Sequence, residues 1–224
     1  MRAALFDVFG TLLDVYSVQT LAERLFPGHG ARLAQTWRDK QIEYTRVRTL
    51  SGRYAPFSHV TRDALEFCVA ALGLDATEAQ LRALLAQYER LTPFAESLDA
   101  LERMRDAGVT LGVLTNGDLP LVRAALDNAG LLPLFGHVLS ADSVRAYKTA
   151  EPVYALGPRA LGVPANEVLF VSSNGWDAIG ATWFGYVTFW VNRAGAPLER
   201  LGATPHATGR TLADAAAFLL SRLH

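Results

Sequence analysis

The distribution of apolar segments along this chain changes character twice, and these changes constrain the fold more than any other feature. A short apolar run at Ala3–Phe6 ends at Asp7, after which residues 15–90 show helical periodicity and no strand signal. After Pro93, short continuous apolar runs alternate with helical segments. Continuous apolar strands separated by helices are typical of a parallel sheet that is covered by helices on both faces. The sequence therefore predicts a sheet interrupted by a helical insertion directly after its first strand.

The predicted elements follow from periodicity and from residues that favour helix ends. Four helices are expected in the insertion, at 17–26, 33–50, 58–72 and 77–88. Thr77 and Gln80 form a capping box at the start of the last one. In the second part a helix is expected around 97–107, and Asp118 is expected to cap the next helix. The segments "VTLGVLT", "HVLS", "EVLFV" and "YVTFWV" are predicted to be further strands.

These elements predict an α/β fold with a doubly wound, Rossmann-like parallel-sheet core and an inserted helical cap. Residues 1–14 and 93–224 are expected to form the core domain, and residues 15–92 the cap that follows the first strand. In folds of this kind ligands bind at the carboxyl ends of the strands, where the strand order reverses.

Polar side chains directly follow several of the predicted strands. Asp7 follows the first strand, Thr115 and Asn116 follow "LGVL", and residues 172–177 follow "EVLFV". Lys148 lies in the loop after "HVLS". Because the carboxyl ends of parallel strands lie along one edge of the sheet, we expect these side chains to converge on one site.

Composition argues against several classes of function. Hydrophobic residues make up 50% of the chain and charged residues 19%, which allows a sizeable core. The net charge is -1 and no Lys/Arg-rich run is present, so we expect no nucleic-acid partner. Cys68 is the only cysteine, so an internal disulfide and a cysteine-built metal site are excluded, and we expect its thiol to be buried.

The distribution of apolar residues also bears on where the protein resides. No apolar stretch approaches the roughly 20 residues that span a bilayer. The start of the chain is interrupted by Asp7 too early to be a signal peptide. We therefore expect a cytoplasmic protein without membrane contact.

Five segments of the chain resemble the motif series of the haloacid dehalogenase superfamily. They are "FDVFGTLLDVYSV", "WRDKQIEYT", "LTNGD", "YKTAEPVY" and "FVSSNGWDAIGA". More narrowly, they are similar to the L-2-haloacid dehalogenase branch, which works without metal. The resemblance extends from Ala3 to about Arg193, and five ordered segments with matching spacing are far more specific than one D-x-x-G-T motif.

The resemblance implies roles for individual residues. Asp7 would be the nucleophile, Thr11 would support it, and Arg38 would reach the substrate and halide from the cap. The implied catalytic residues are Asp7, Thr11, Arg38, Lys148, Ser172, Asn174 and Asp177. The implied substrate- and halide-binding residues are Val8, Phe9, Arg38, Phe57, Thr115, Asn116, Tyr154 and Trp176. A haloacid and a halide ion as ligands, a homodimer, no metal ion and no cofactor are implied as well.

The chemistry of these side chains agrees with the implied reaction. A carboxylate can displace a halide from a saturated carbon and leave an ester, which water then hydrolyses, so that one difficult step becomes two easier ones. The attacking aspartate must be ionised, and an ammonium group such as that of Lys148 would favour the ionised form. Donors such as the Arg38 guanidinium and the Asn116 amide would stabilise the charge that gathers on the departing halide.

Phe9 stands where phosphatases of the superfamily carry a second aspartate, which protonates the leaving alcohol. A halide leaves as a stable anion and needs no proton, so an apolar residue here helps to exclude water from the nucleophile. Magnesium prefers several oxygen ligands, usually carboxylates, whereas the last motif offers Asp177 as its single acid. Two separate positions therefore argue against phosphoryl transfer.

Some residues depart from the pattern of this branch. Thr115 replaces the usual serine, and Lys148 is not followed directly by proline. Gly157 and Pro158 fall inside the helix that is expected to carry Tyr154. The proline would remove the backbone hydrogen bond to the Tyr154 carbonyl and could kink the helix beside the site.

The predicted function is metal-independent hydrolytic dehalogenation of short L-2-haloalkanoic acids through an Asp7 ester, giving inverted 2-hydroxy acids and halide. Haloacetates, fluoroacetate included, are further candidate substrates. Two alternatives remain: a magnesium-dependent small-molecule phosphatase of the same fold, and a catalytically silent relative that binds small acids. Single residues also have structural alternatives, since Arg38 could be a solvated charge, Asp177 a helix cap and Phe57 a core residue.

Overall fold

The computed structural model describes residues 1–223, and this part of the chain forms eight β-strands and ten α-helices. In chain order the strands are β1 (Ala3–Phe6), β2 (Leu13–Asp14), β3 (Thr92–Pro93), β4 (Thr110–Thr115), β5 (His137–Ser140), β6 (Val168–Ser172), β7 (Val187–Val191) and β8 (Ala207–Gly209). The helices are α1 (Gln19–Leu25), α2 (Gly30–Leu50), α3 (Phe57–Ala71), α4 (Glu78–Gln87), α5 (Ser97–Asp106), α6 (Leu119–Asn128), α7 (Glu151–Tyr154), α8 (Leu156–Leu161), α9 (Gly175–Phe184) and α10 (Leu212–Leu220). No helix within residues 1–223 combines the length and the apolar character needed to cross a membrane.

Six strands form one parallel sheet in the order β5-β4-β1-β6-β7-β8. β1 lies between β4 and β6, with Leu5 opposite Gly112 on one side and Phe170 on the other. All four residues of β1 are buried, as expected for a central strand with helices on both faces. The chain first extends the sheet through β4 and β5, and then through β6, β7 and β8 on the opposite side. The strand order therefore reverses at β1, and the predicted doubly wound α/β core is confirmed.

Helices α1 to α4 lie between β1 and the remaining core strands along the chain, which confirms the predicted helical insertion. Buried positions of α3 recur at Phe57, Val60, Ala64 and Cys68, three or four residues apart, so one face packs inward. The Trp37 indole of α2 donates to a backbone carbonyl of α3 at 2.8 Å, so this buried polar group is satisfied. The thiol of Cys68 is buried, as predicted.

β2 and β3 form a short antiparallel ribbon that the sequence did not predict, with Leu13 opposite Pro93. The ribbon lies where the chain leaves the core for the helical insertion and where it returns. The predicted boundary after residue 14 lies at the end of β2, whereas the predicted boundary before residue 93 falls inside β3. The division into core and cap stays a prediction. β8 was not predicted either, because strands of two or three residues show no periodic pattern.

Two helix ends differ from expectation. Asp118 occupies the N-cap position of α6, but its carboxylate accepts a hydrogen bond from the backbone N–H of Ser58 at 3.1 Å, so the expected side-chain cap is wrong. The segment that carries Tyr154 is divided, because α7 ends at Tyr154 and α8 begins at Leu156. Pro158 thus lies in the first turn of α8, where a helix tolerates the missing N–H.

Candidate active site

Asp7 lies at the carboxyl end of β1, is 6% exposed, and is held by hydrogen bonds on its backbone and its side chain. Its N–H donates to the Val171 carbonyl at 2.9 Å, and the Thr11 hydroxyl donates to its Oδ2 at 2.9 Å. The same hydroxyl accepts the N–H of Ser173 at 2.8 Å, which ties the loop after β6 to the turn. Gly10 permits this turn, since its φ of 91° is one that residues with a Cβ rarely adopt.

The Lys148 ammonium lies between two carboxylates on the core side of the site. Its Nζ donates to Asp7 Oδ1 at 3.0 Å and to Asp177 Oδ2 at 2.9 Å, and all three side chains are buried. Burial alone would lower the pKa of Lys148, but the attraction of Asp177 and Asp7 outweighs it and raises the pKa. Lys148 therefore remains protonated beside Asp7.

Asp177 is the most deeply buried acid of this group. It lies in the first turn of α9, and its Oδ1 accepts the Tyr154 hydroxyl at 2.7 Å. Burial raises the pKa of Asp177, and the net shift stays upward although the Lys148 ammonium and the Tyr154 hydroxyl lower it. Asn174 holds the N-cap position of α9, so the alternative that Asp177 is a helix cap is wrong.

Asp7 Oδ2 and the neighbouring Phe9 carbonyl accept hydrogen bonds from the amide of Asn174. Asn174 Nδ2 donates to Asp7 Oδ2 at 2.9 Å and to the Phe9 carbonyl at 3.3 Å. Arg38 reaches the site from α2, where Nη2 donates to the Phe9 carbonyl at 3.1 Å and lies 3.5 Å from Asn174 Oδ1. Ser172 Oγ accepts the Asn174 N–H at 3.1 Å and thereby orients this loop. Arg38 is only 7% exposed, so the alternative that it is a solvated surface charge is wrong.

A narrow cavity lies between Asp7 and the helical insertion. Its lining consists of Asp7, Phe9, Arg38, Ile42, Thr45, Phe57, Asn116, Asn174 and Trp176. The space open to the centre of a water-sized molecule is about 10 Å³, close to the minimum that holds one water. The rings of Phe9 and Phe57 stack with their centroids 5.5 Å apart and form one wall. The cavity therefore combines one carboxylate with several N–H donors and aromatic walls, which suits a small molecule with an anionic group.

The structure places some of the predicted binding residues in the cavity lining and others behind it. The predicted binding residues in the cavity lining are Phe9, Arg38, Phe57, Asn116 and Trp176. Val8, Thr115 and Tyr154 are buried outside that lining, and the Thr115 hydroxyl accepts the N–H of Gly117 at 3.1 Å. Asn116 Oδ1 accepts the Lys148 N–H at 2.9 Å, which leaves the amide NH₂ group for a ligand.

Two residues of the lining, Ile42 and Thr45, were not predicted. They follow Arg38 on α2 by four and seven residues and therefore lie on the same face of the helix. Helical spacing from Arg38 is the signal in the sequence that would have identified them.

The donor set of the site does not fit a magnesium ion. The oxygens best placed to act as ligands, Asp7 Oδ2 and the Phe9 carbonyl, both accept hydrogen bonds from the NH₂ group of Asn174. The Arg38 guanidinium adds a positive charge at the same carbonyl. Across residues 1–223, no three His, Cys, Asp or Glu side chains cluster so as to hold a metal ion.

Fold and site together define a class of protein: an α/β protein with a buried carboxylate at the end of the central strand, a buried lysine paired with it and helices over the site. A family model for haloacid dehalogenase-like hydrolases matches residues 1–185. The chain belongs to this family.

Individual relatives are similar over nearly the whole chain. The (S)-2-haloacid dehalogenase of Pseudomonas sp. (strain YL) is 43% identical over 205 residues, which cover 92% of this chain and 88% of that protein. The crystal structure of the L-2-haloacid dehalogenase RSc1362 superposes with a TM-score of 0.96 at 49% identity, covering 98% of this chain and 99% of that one. The L-2-haloacid dehalogenase from Xanthobacter autotrophicus with chloropropionic acid covalently bound superposes with a TM-score of 0.93 at 36% identity, with full coverage of both chains.

Proposed function

We propose that this protein hydrolyses short L-2-haloalkanoic acids to halide and inverted 2-hydroxy acids, without a metal ion. The observation that carries the proposal is the Asp7 carboxylate, paired with Lys148, in a narrow cavity whose other charged or amide groups are N–H donors. The names of the similar proteins, (S)-2-haloacid and L-2-haloacid dehalogenase, support the same reaction. We propose haloacetates, fluoroacetate included, as further substrates, because 2-halo acids without a side chain need the least space beside Asp7.

In the first step an oxygen of Asp7 attacks C2 of the substrate from the side opposite the halogen. The new C–O bond forms as the carbon–halogen bond breaks, the halide leaves with the electron pair, and C2 is inverted. The Arg38 guanidinium and the Asn116 NH₂ group are proposed to receive the halide, because both line the cavity. Donors that act on charge developing in the transition state lower the barrier more than donors that bind the ground state.

In the second step water attacks Cγ of the Asp7 ester. The bond between Cγ and the ester oxygen breaks, the hydroxy acid leaves with that oxygen, and the Asp7 carboxylate is restored. Asp177, a stronger base than an ordinary carboxylate because burial raises its pKa, is proposed to take up one proton of the water and to return it to the departing oxygen. The Lys148 ammonium keeps its proton and is proposed to hold Asp177 and Asp7 in place. Thr11, Ser172 and Asn174 are proposed to hold the ester and its surroundings in place.

The remaining predicted binding residues are proposed to shape the cavity. Phe9, Phe57 and Trp176 are proposed as the apolar walls around the substrate body. Val8, Thr115 and Tyr154, which are buried outside the lining, are proposed to shape the site from behind. Residues 15–92 are proposed to act as the cap and residues 1–14 and 93–224 as the core that carries the nucleophile.

Halide release with separate enantiomers tests the reaction. We expect release from L-2-chloropropionate and from chloroacetate, D-lactate as the product of the former, and the same rates with a chelator present. Equal turnover of D-2-chloropropionate would contradict the stereochemistry. Loss of activity with chelator that magnesium restores, or hydrolysis of phosphate monoesters, would favour the phosphatase instead.

An isotope experiment tests the ester. In a single turnover in ¹⁸O-water with enzyme in excess, attack at Cγ places the label in Asp7 and leaves the first lactate unlabelled. Mass spectrometry of the peptide that contains Asp7 and of the product reads both positions. Label in the first lactate with an unlabelled Asp7 would mean that water attacks C2 directly, which contradicts the proposal.

We also propose that the protein is a cytoplasmic homodimer. Large apolar side chains lie exposed along the cleft between α2 and α9, among them Leu50, 89% exposed, and Trp183, 56% exposed, with Val47 and Leu201 beside them. Exposed apolar patches of this kind mark association surfaces. Light scattering should give a dimer mass for the wild type and a monomer for Leu50→Glu, and a monomeric wild type would refute the dimer. Cell fractionation tests the location.

A further inference from the structure

The carbonyl of Tyr154 has an unusual hydrogen-bond partner. In a continuous helix the N–H four residues later would donate to it, but that residue is Pro158, which has no N–H. The hydroxyl of Tyr186 donates to this carbonyl instead, at 2.6 Å. Burial raises the pKa of Tyr186 above its ordinary value, so the hydroxyl keeps its proton and remains a donor.

Gly157 provides the room that this bond requires. A Cβ at position 157 would collide with the hydroxyl of Tyr186 and with the side chain of Leu5. Glycine within a helix normally costs about 1 kcal/mol relative to alanine, so its presence here needs a local reason. The close approach of Tyr186 supplies that reason, and Gly157, Pro158 and Tyr186 form one connected feature.

Tyr154 connects this feature to the nucleophile. Its hydroxyl donates to Asp177 Oδ1 at 2.7 Å, and the other oxygen of Asp177 accepts the Lys148 ammonium at 2.9 Å. Lys148 in turn donates to Asp7 Oδ1 at 3.0 Å. Four successive hydrogen bonds therefore join Tyr186 to Asp7, and every side chain along them is buried. Buried chains of this kind leave little freedom to any member, because an unpaired polar group in the interior is costly.

We infer that Tyr186 is a positioning residue for the nucleophile: its hydroxyl replaces the backbone hydrogen bond that Pro158 removes and holds Tyr154 where it can keep Asp177 and Lys148 against Asp7. Tyr186 does not line the cavity and therefore acts through Tyr154. The kinetic part of the inference rests on the proposed dehalogenase function.

Tyr186→Phe removes only the hydroxyl. We expect kcat to fall about tenfold, less than the roughly hundredfold that a 1 Å displacement of a reacting group can cost. KM should stay within about twofold, because the residues that line the cavity are unchanged. The Tyr154 hydroxyl lowers the pKa of Asp177, so a weakened bond raises that pKa and moves the acid limb of the kcat profile to higher pH.

Restoring the missing donor provides the decisive comparison. Pro158→Ala supplies an N–H four residues after Tyr154, so it should return kcat and the acid limb of the Tyr186→Phe variant to within about twofold of wild type, while changing little alone. Independent effects of the two substitutions would overturn the inference. Gly157→Ala should resemble Tyr186→Phe, since the added methyl group displaces the hydroxyl.

A matched control separates positioning from general destabilisation. Thr188 in β7 is buried and its hydroxyl bonds to that of Thr182 at 2.7 Å, away from Tyr154. Thr188→Val also removes a buried hydroxyl and should lower the melting temperature without shifting the acid limb. An equal shift in this control would mean that Tyr186→Phe acts through stability alone, which would overturn the inference.

The hydrogen bond itself can be followed without substrate. Only two of the seven tyrosines precede an alanine, in Tyr54-Ala55 and Tyr154-Ala155. Protein labelled with carbonyl-¹³C tyrosine and ¹⁵N alanine therefore gives two signals in a spectrum that correlates each carbonyl carbon with the amide nitrogen that follows it. The Tyr154 signal should move in Tyr186→Phe and return with Pro158→Ala, while the Tyr54 signal stays. An unmoved Tyr154 signal, or a moved signal with unchanged kcat and acid limb, would overturn the inference. A wild type that releases no halide would refute the proposed function, and the carbonyl signals would still decide whether Tyr186 replaces the missing bond.

Discussion

The two sides of the Asp7 carboxylate are built in different ways. On the core side, the buried Lys148 ammonium donates to Asp7 at 3.0 Å and to the buried Asp177 at 2.9 Å. On the cap side, Arg38 reaches in from α2, donates to a backbone carbonyl at 3.1 Å and lies 3.5 Å from Asn174. The charges of the core side are held in place by ion pairs before any ligand arrives. The Arg38 guanidinium makes weaker contacts, so it can give them up and turn toward a ligand.

This difference separates two properties of the site. In the proposed mechanism we expect the fixed charges near Asp7 to control turnover, because preorganised groups need no reorganisation during the reaction. The cap side supplies Ile42, Thr45 and Phe57 to the cavity lining, so we expect it to determine which substrate fits. Substitutions on the core side should consequently change both stability and turnover, whereas substitutions on the cap side should change turnover or selectivity without a loss of stability.

The largest effect is expected where the two sides meet, at the nucleophile. Asp7→Asn preserves the shape of the side chain but cannot form the ester, so halide release should fall by at least about 10⁴-fold. Asp14→Asn, in the same segment but outside the cavity lining, should keep wild-type turnover. Substantial halide release by the Asp7→Asn variant would refute the nucleophilic role.

The next largest effect should come from the core side. Lys148→Met leaves Asp7 and Asp177 buried side by side without a cation, and removing one partner of a buried ion pair typically costs about 3–5 kcal/mol. We expect a loss of this size in the unfolding free energy at pH 7, together with a kcat at least about 10²-fold lower. Urea unfolding and halide release measure the two quantities. An unchanged unfolding free energy would contradict a core side held together by the shared ammonium.

The cap side should respond in turnover but not in stability. Arg38→Gln removes a cationic donor that we propose receives the halide, and losing one such donor typically costs about 10²-fold in kcat. The unfolding free energy should stay close to that of wild type, because the guanidinium is paired with a carbonyl and an amide and not with a buried charge. Arg32→Gln, exposed on the same helix, is the matched control and should be silent. Equal losses of kcat in both variants would contradict the proposed role of Arg38 in receiving the halide.

A smaller and selective effect is expected from the cap wall. Ile42→Ala enlarges the cavity, so the ratio of kcat/KM for 2-chlorobutyrate to that for chloroacetate should rise about tenfold, as expected for one or two methylene groups in an apolar pocket. Competition between the two substrates measures this ratio directly. An unchanged ratio would mean that the cap side does not determine substrate length.

The smallest effect is expected in the pH dependence of the unfolding free energy, which reports the titration of Lys148. Burial opposes the charge of Lys148, but Asp177 and Asp7 raise its pKa above the ordinary 10.5. A group with a raised pKa stabilises the fold fully below its unfolded value and loses that contribution as pH rises through the folded value. The unfolding free energy of wild type should therefore fall above about pH 10.5 more steeply than that of Lys148→Met.

Other groups also titrate in this range, and comparison of the two proteins removes their contribution. Burial raises the pKa of Tyr88 to about 12, for example, and this tyrosine is the same in both proteins. The difference between the two unfolding curves thus reports Lys148. Parallel curves across this pH range would contradict the raised pKa.

The sequence predicted the core side of the site better than the cap side, for a physical reason. Asp7, Asn174 and Asp177 follow adjacent parallel strands, and strand ends converge whatever the details of packing. Ile42 and Thr45 enter the cavity only because α2 packs with one particular face toward the core, and the orientation of a helix depends on tertiary contacts.

The segment around Tyr154 shows a second limit of sequence reasoning. The loss of the backbone bond at Pro158 is a local effect and could be predicted. Its replacement by Tyr186, a residue 32 positions from Tyr154, depends on the meeting of two distant segments. The short ribbon of β2 and β3 was missed for a related reason, because two-residue strands are defined by their partner and not by their own sequence.

The shared ammonium of Lys148 has a consequence for the catalytic cycle. With both carboxylates ionised, Asp7, Lys148 and Asp177 carry two negative charges and one positive charge. Ester formation makes Asp7 neutral, so the interior loses its excess charge and the repulsion between the two acids disappears. Hydrolysis must then rebuild a buried anion, which is costly in a medium of low polarity. The protein therefore alternates between a charged and a neutral interior once per turnover, and a less polar interior should slow the second step and allow the ester to accumulate.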